Sequence, residues 1–165
     1  MAEKNWIVNA SPLIALAKIG QLELLLGPSR ILMIPEAVAE EIRVGPPQDP
    51  ARVALTSGFG GTPIPVEVSP EVIAWGLGRG ESAVLCLAAQ RGATAILDDR
   101  DARRAAKTMG LDVLGTLGVV LRARAEGRIE SASVLLKALQ HHGMRLDDRL
   151  VATALRDAFG EIWED

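Results

Sequence analysis

Ile96-Leu97-Asp98-Asp99-Arg100 sets two adjacent carboxylates at the end of a short apolar strand, Thr94 to Leu97, and at the start of a strongly patterned helix beginning near Arg100. In an open parallel sheet the strand ends converge on one crevice, so a carboxylate just past a strand points at the functional edge. Three further segments can deliver an acid or an amide to that edge: Asn9 after Trp6 to Val8, Glu41 beyond Ile31 to Ile34, and Glu81 after the turn Gly78 to Gly80.

Outward from this stretch, strands alternate with helices. Ser11 can cap, and Pro12 can open, a helix over Leu13 to Ile19; a second short helix covers Leu22 to Leu26. Pro35 opens a helix to about Arg43. The Gly- and Pro-rich run Gly45 to Gly61 reads as loop with one weak helical turn near Ala51 to Leu55, long enough to suggest a flap or contact surface. Ile64 to Val68 alternates as an edge strand between prolines, Pro70 to Trp75 is a short helix, and Glu81 to Arg91 a longer one. Asp112 to Leu114 is a further strand, Thr116 caps a helix to about Glu126, and amphipathic helices follow at Ala132 to His142 and Arg149 to Phe159. The last carries an apolar stripe of Leu150, Val151, Ala154, Leu155 and Phe159. The pattern predicts an α/β fold with a central parallel sheet of four to five strands flanked by helices, a three-layer arrangement. The expectation is one domain over 1–165, with helices at about 130–160 packing on the body or on a dimer partner.

Composition narrows the function classes. Hydrophobic residues make up 48% and aromatics only 3%, with no Tyr, so the core is aliphatic and aromatic base-stacking platforms are absent. The single Cys86, among Val84, Leu85 and Leu87, excludes an internal disulfide and reads as a small buried hydrophobe; a cytoplasmic setting is expected. No apolar run is long enough to span a membrane, and Asn9, Ser11, Pro12 and Lys18 interrupt the N-terminal apolar stretch, against export. A net charge of -3 gives no bulk attraction to nucleic acid, so such a partner must meet a local basic patch.

Helical spacing sorts the acids. Glu36 and Glu40 share an outer face, whereas Glu41 falls between Val38 and Ile42, and Glu81 lies on the arc of Val84, Leu85 and Ala88. An inward carboxylate demands a cation, an Arg or a raised pKa. Taken singly, Glu81 can be a helix N-terminal rim residue and Glu41 an ion-pair partner of Arg43. Taken with Asp98 and Asp99, they form the oxygen set that a hard divalent ion accepts. His141 and His142 lack metal-ligand spacing. Arg100, Arg103, Arg104 and Lys107 form a basic stripe opposite Ala102, Ala105, Ala106 and Met109, which is either a solvated face or a phosphate-backbone contact that Arg79 could join.

Val8-Asn9-Ala10-Ser11-Pro12-Leu13-Ile14, Ala39-Glu40-Glu41-Ile42, Gly78-Arg79-Gly80-Glu81-Ser82-Ala83, Leu97-Asp98-Asp99-Arg100-Asp101-Ala102-Arg103 and Leu114-Gly115-Thr116-Leu117-Gly118 together resemble the PIN-domain superfamily. The similarity is to prokaryotic PIN-like proteins related to VapC toxins and covers roughly residues 5 to 155. It implies a Mg²⁺- or Mn²⁺-dependent single-strand ribonuclease in which acids hold the ion and activate water. By position, the metal ligands fall on Asn9, Glu41, Glu81 and Asp98, and the catalytic acids on Glu41, Glu81, Asp98 and Asp99. Ser11 matches the hydroxyl position after the first acid, beside the RNA. The resemblance also implies a homodimer and a small antitoxin partner. The departure is Asn9, where the family pattern has Asp: an amide is a neutral ligand that cannot take a proton. A weakened nuclease and a non-catalytic PIN-like module binding RNA or protein are both consistent with it.

Two other enzyme readings are weaker. Asp99-Arg100-Asp101 resembles the nucleophile motif of haloacid-dehalogenase-like phosphatases, but that motif normally starts the chain, and no Lys followed by a later strand-end acid pair is found. The glycines at 76, 78 and 80 lack the preceding strand and the ribose-binding acid of a dinucleotide site.

Overall fold

The computed structural model describes residues 3–164. Four parallel strands, β1 (Trp6–Val8), β2 (Leu32–Met33), β3 (Thr94–Ile96) and β4 (Val113–Leu114), pair in the order β2-β1-β3-β4. Helices flank this sheet, in the expected α/β/α manner. All three residues of β1 and of β3 are buried, which is why both read as unbroken apolar runs rather than alternating ones. The chain leaves β1 for one neighbour and returns to the other side for β3. The strand order therefore reverses between β1 and β3, and the crevice of such a sheet opens at their carboxyl ends.

The chain divides into two compact units, Met1–Thr116 and Leu117–Asp165. The first holds the sheet with α1 (Ala10–Lys18), α2 (Glu36–Arg43), α3 (Pro50–Thr56), α4 (Pro70–Ile73), α5 (Arg79–Arg91) and α6 (Arg100–Thr108). Its core is aliphatic around one indole: Trp6, Ile7, Leu13, Leu16, Leu25, Ile34, Leu85, Leu87, Ile96 and Leu97 are fully buried. Helix α5 packs on β1, β3, α2, α4 and α6, and is the central helix of this unit. Gly92, in the left-handed region with φ 59°, ends α5 and turns the chain into β3.

Several expectations are revised. Helix α1 starts at Ala10, so Ser11 lies exposed inside its first turn instead of capping it; Pro12 is accommodated because the first four N–H groups of a helix have no intrahelical acceptor. The segment after Gly45 is more ordered than loop: Asp49 accepts from Ala51 N at 2.9 Å, α3 forms, and Ala51 is buried where α3 packs on α1 and α2. Ile64 to Val68 is no strand. Only Ile64 bridges Pro35, because Pro63 and Pro65 supply no backbone donors. The second strand is shorter than Ile31 to Ile34: it covers Leu32–Met33, both buried, and Ile31 ahead of it is 64% exposed.

At the amino end of β1, Arg30 is a buried clamp not foreseen from sequence. Its guanidinium lies 3.6 Å from the Trp6 ring centroid, pairs with Glu3 at 2.6 Å, and donates to the carbonyls of Leu24 and Leu26 at 3.1 and 2.7 Å.

The second unit contains α7 (Thr116–Ala125), which begins on the last residue of the first, α8 (Ala132–His141) and α9 (Asp148–Phe159). Val151 and Leu155 of the α9 stripe are fully buried, but Leu150 is 60% exposed and leaves it. Glu161 reaches the amino end of α8, accepting from Ala132 N at 3.2 Å, Ser133 N at 3.0 Å and Ser131 Oγ at 2.8 Å, and pairs with Arg124 at 3.1 Å. Burial pushes the Glu161 carboxyl up. The donors of Ser133, Ser131 and Ala132 outweigh it and bring the pKa from 4.5 to about 2.

Replacing Arg30 by Ala removes its stacking on Trp6 and its hydrogen bonds to the carbonyls of Leu24, Leu25 and Leu26, and should cost about 3 kcal/mol in urea unfolding with an unchanged m-value. Because the folded pKa of Glu161 lies below its ordinary value, its contribution is complete above pH 4.5 and is lost as pH falls toward 2. Glu161→Gln should be less stable than the parent by about 2 kcal/mol at neutral pH, with the difference closing through that acid window.

Candidate functional site

The parallel pairing of β1 with β3 extends one residue past the strands, where Asn9 N donates to Ile96 O at 3.1 Å. Asn9 thus stands at the end of β1 alongside the end of β3, where Leu97 leads into Asp98. Asn9 is 3% exposed, and its Oδ1 accepts no hydrogen bond among the described residues. A buried carbonyl oxygen without a donor is costly, about 1–3 kcal/mol.

Helices α2 and α5 bring the glutamates to this end. A methyl group at Gly80 would stand 3.0 Å from Glu41 Oε2 and 3.1 Å from Asn9 Oδ1, so these two oxygens converge on one point. Glu41 is exposed, so the expectation of an inward position on the apolar side of α2 is corrected. Val38, Ala39 and Ile42 fill that side, and the carboxylate reaches the site from its rim. Glu81 is half-buried in the first turn of α5, with Oε2 folded over Gly78. Glu40, Glu41, Glu81, Gly78, Arg79 and Gly80 contribute to the lining of a hollow of about 480 Å³. Arg79, expected as a nucleic-acid contact, here pairs with Glu40 at 3.4 Å on the exposed rim.

Asp98 faces a different hollow, about 460 Å³, lined with Arg100, Arg103, Arg104, Lys107 and Thr108. Of the acids expected in one site, Glu41 and Glu81 line the first hollow and Asp98 the second. Thr116, fully buried, donates from N and Oγ1 to Asp98 Oδ1 and Oδ2 at 2.7 and 2.6 Å and holds this carboxylate at the start of α7. Arg103 Nη1 donates to Leu97 O at 3.1 Å, which ties the basic stripe to the same strand end. Asp99 caps α6, its Oδ2 accepting from Ala102 N at 2.9 Å, and does not join the group at Gly80. Ser11 lies exposed one residue beyond the start of α1, and His141 and His142 are exposed near the end of α8.

Among the described residues, no three His, Cys, Asp or Glu side chains come together as a ready metal cage. The residues nonetheless fit a hard cation. Asn9 Oδ1 is an orphaned carbonyl, Glu41 Oε2 approaches the same point, and Glu81 lines the hollow beside them. An acidic hollow and a basic hollow thus meet a crevice at the ends of β1 and β3, one suited to a cation and the other to phosphate.

Sequence reading missed two residues of this arrangement. Thr116 was expected only to cap α7, yet it fixes Asp98; the strand–Gly–Thr order of Leu114-Gly115-Thr116 was the available signal. Gly80 reads as turn material in the sequence, yet it lies inside α5.

A family model described as DUF3368: PIN domain matches residues 5–160. No curated protein matches the chain.

Thr116→Val keeps the buried volume but removes one donor from Asp98. A loss of about 1–2 kcal/mol is expected in thermal unfolding, and an unchanged melting temperature would show that the hydroxyl contributes nothing to holding Asp98.

Proposed function

The chain belongs to the PIN-domain family, which carries a nuclease-type fold, and on that premise we propose that it is a divalent-metal-dependent ribonuclease acting on single-stranded RNA. The observation that carries this reading is the convergence of Asn9 Oδ1, buried and without a donor, with Glu41 Oε2 at Gly80. Asn9, Glu41, Glu81 and Asp98 are the residues that would hold Mg²⁺ or Mn²⁺. When bound, the ion supplies Lewis acidity and charge neutralisation at the scissile phosphate.

The chain's own groups do the rest. Arg100, Arg103, Arg104 and Lys107 hold backbone phosphates beside Asp98, which positions the strand without reading its sequence. Glu81 Oε2 takes the proton of the attacking water as its oxygen bonds to phosphorus, and the ribose oxygen leaves as the P–O bond breaks and takes a proton from solvent. With so few aromatics, base stacking contributes little, so discrimination among RNAs rests on shape.

Within this reading the chain is the VapC-like toxin of a toxin-antitoxin pair, a homodimer held in check by a small antitoxin in the cytoplasm. A gene for a small DNA-binding protein immediately upstream would support that role. The neutral amide of Asn9, together with the lack of a ready three-acid cage among the described residues, favours one second reading, a non-catalytic module that binds RNA or a protein partner.

Restoring a carboxylate adds an attraction of about 4 kcal/mol per positive unit charge at 4 Å, offset by its dehydration, so Asn9→Asp should tighten the metal at least about tenfold. With single-stranded RNA and Mn²⁺, the expected order of cleavage rates is Asn9→Asp above wild type, with Glu81→Gln and Asp98→Asn inactive. Cleavage persisting in both inactive designs would place the activity elsewhere. Cleavage by Asn9→Asp alone would establish the non-catalytic reading.

A further inference from the structure

We propose that Gly80 is a positioning residue for the cation site, its missing side chain being what lets Asn9 Oδ1 and Glu41 Oε2 address the same small volume. The inference rests on the metal-dependent reading above. Gly80 is the second residue of α5, is buried, and has no positive φ, so its backbone does not call for glycine. Alanine is the better helix former there, and the fold alone would favour it. What glycine supplies is space. A methyl group would lie 3.0 Å from Glu41 Oε2, 3.1 Å from Asn9 Oδ1 and 3.6 Å from Val38 Cγ2, pressing on both oxygens, one of which lacks a donor.

The two oxygens would not respond alike. Asn9 is held at the strand end, its N bonded to Ile96 O at 3.1 Å and the residue only 3% exposed, so its Oδ1 can yield by no more than a few tenths of an ångström. Glu41 is exposed and ends a flexible side chain, so it would swing outward. The substitution Gly80→Ala therefore parts the two donors while leaving the core of α5 in place. Gly78 differs: a methyl there would meet only the Glu81 carboxylate, at 2.5 Å from Oε2.

The test measures the melting temperature of wild type, Gly80→Ala and Glu41→Gln with and without Mn²⁺ alone, and titrates Mn²⁺ calorimetrically. The expected result is a Mn²⁺-dependent rise for wild type. For Gly80→Ala the metal-free melting temperature should be equal or higher, yet the Mn²⁺ response should be lost, as in Glu41→Gln, with Kd raised at least about tenfold. A full Mn²⁺ response in Gly80→Ala overturns the inference and leaves the metal reading standing. A lowered metal-free melting temperature overturns it too, assigning the glycine to packing. No Mn²⁺ response in wild type overturns both.

Discussion

The in-register parallel pairing of β1 with β3 is the constraint from which the site follows. Val8 opposite Ile96 sets Asn9 and the Leu97-Asp98 step side by side, and a slip of one residue would turn both segments face for face. Three-residue strands cannot secure such a register alone. Here α5 covers both strands with Leu85 and Leu87 fully buried, and Arg30 locks the opposite end of β1 through Trp6. The stability of the site is thus supplied by residues remote from its chemistry.

Asp98 and Arg103 lie close to one another at this end of the sheet with no ion pair between them among the described residues. Thr116 occupies both oxygens of Asp98, and the Leu97 carbonyl occupies Arg103 Nη1, so each group is held by a neutral partner. The carboxylates at Glu41 and Glu81 and the cations along α6 therefore stay open to ligands of opposite sign. With a net charge of -3 and a Debye length of about 8 Å at physiological salt, the basic stripe acts only at close range. Long-range steering of a polyanion is not built into this chain.

The sheet was legible in the sequence because buried parallel strands are short apolar runs and each is punctuated by a capping or turning residue: Trp6 to Val8 ends at Asn9, and Thr94 to Leu97 ends at the Asp99 cap. Periodicity found the inner faces of α5 and α6 for the same reason. It failed where a local signal met a tertiary one. Pro12 suggests a later start to α1, and the glycines around Gly45 to Gly61 reduce α3 to one weak turn near Ala51 to Leu55, because the burial of Ala51 against α1 is invisible locally. The sequence names the acids but not which hollow each one lines. Helical spacing reports which face a glutamate leaves from, not where three rotatable bonds take its carboxylate, as Glu41 demonstrates. Arg30 escaped notice because its acceptors are backbone carbonyls, and these leave no mark in composition.

Glu161 closes the first turn of α8 from beyond the point at which the family match ends, residue 160. Anyone shortening the gene product to the homologous boundary would delete that lid on the helix and leave Arg124 and two peptide N–H groups facing water. The recognisable family segment therefore stops short of the contacts that hold this chain together at both ends: Glu3 pairs with Arg30 ahead of residue 5, and Glu161 and Trp163, beyond residue 160, bond back to α8 and α9.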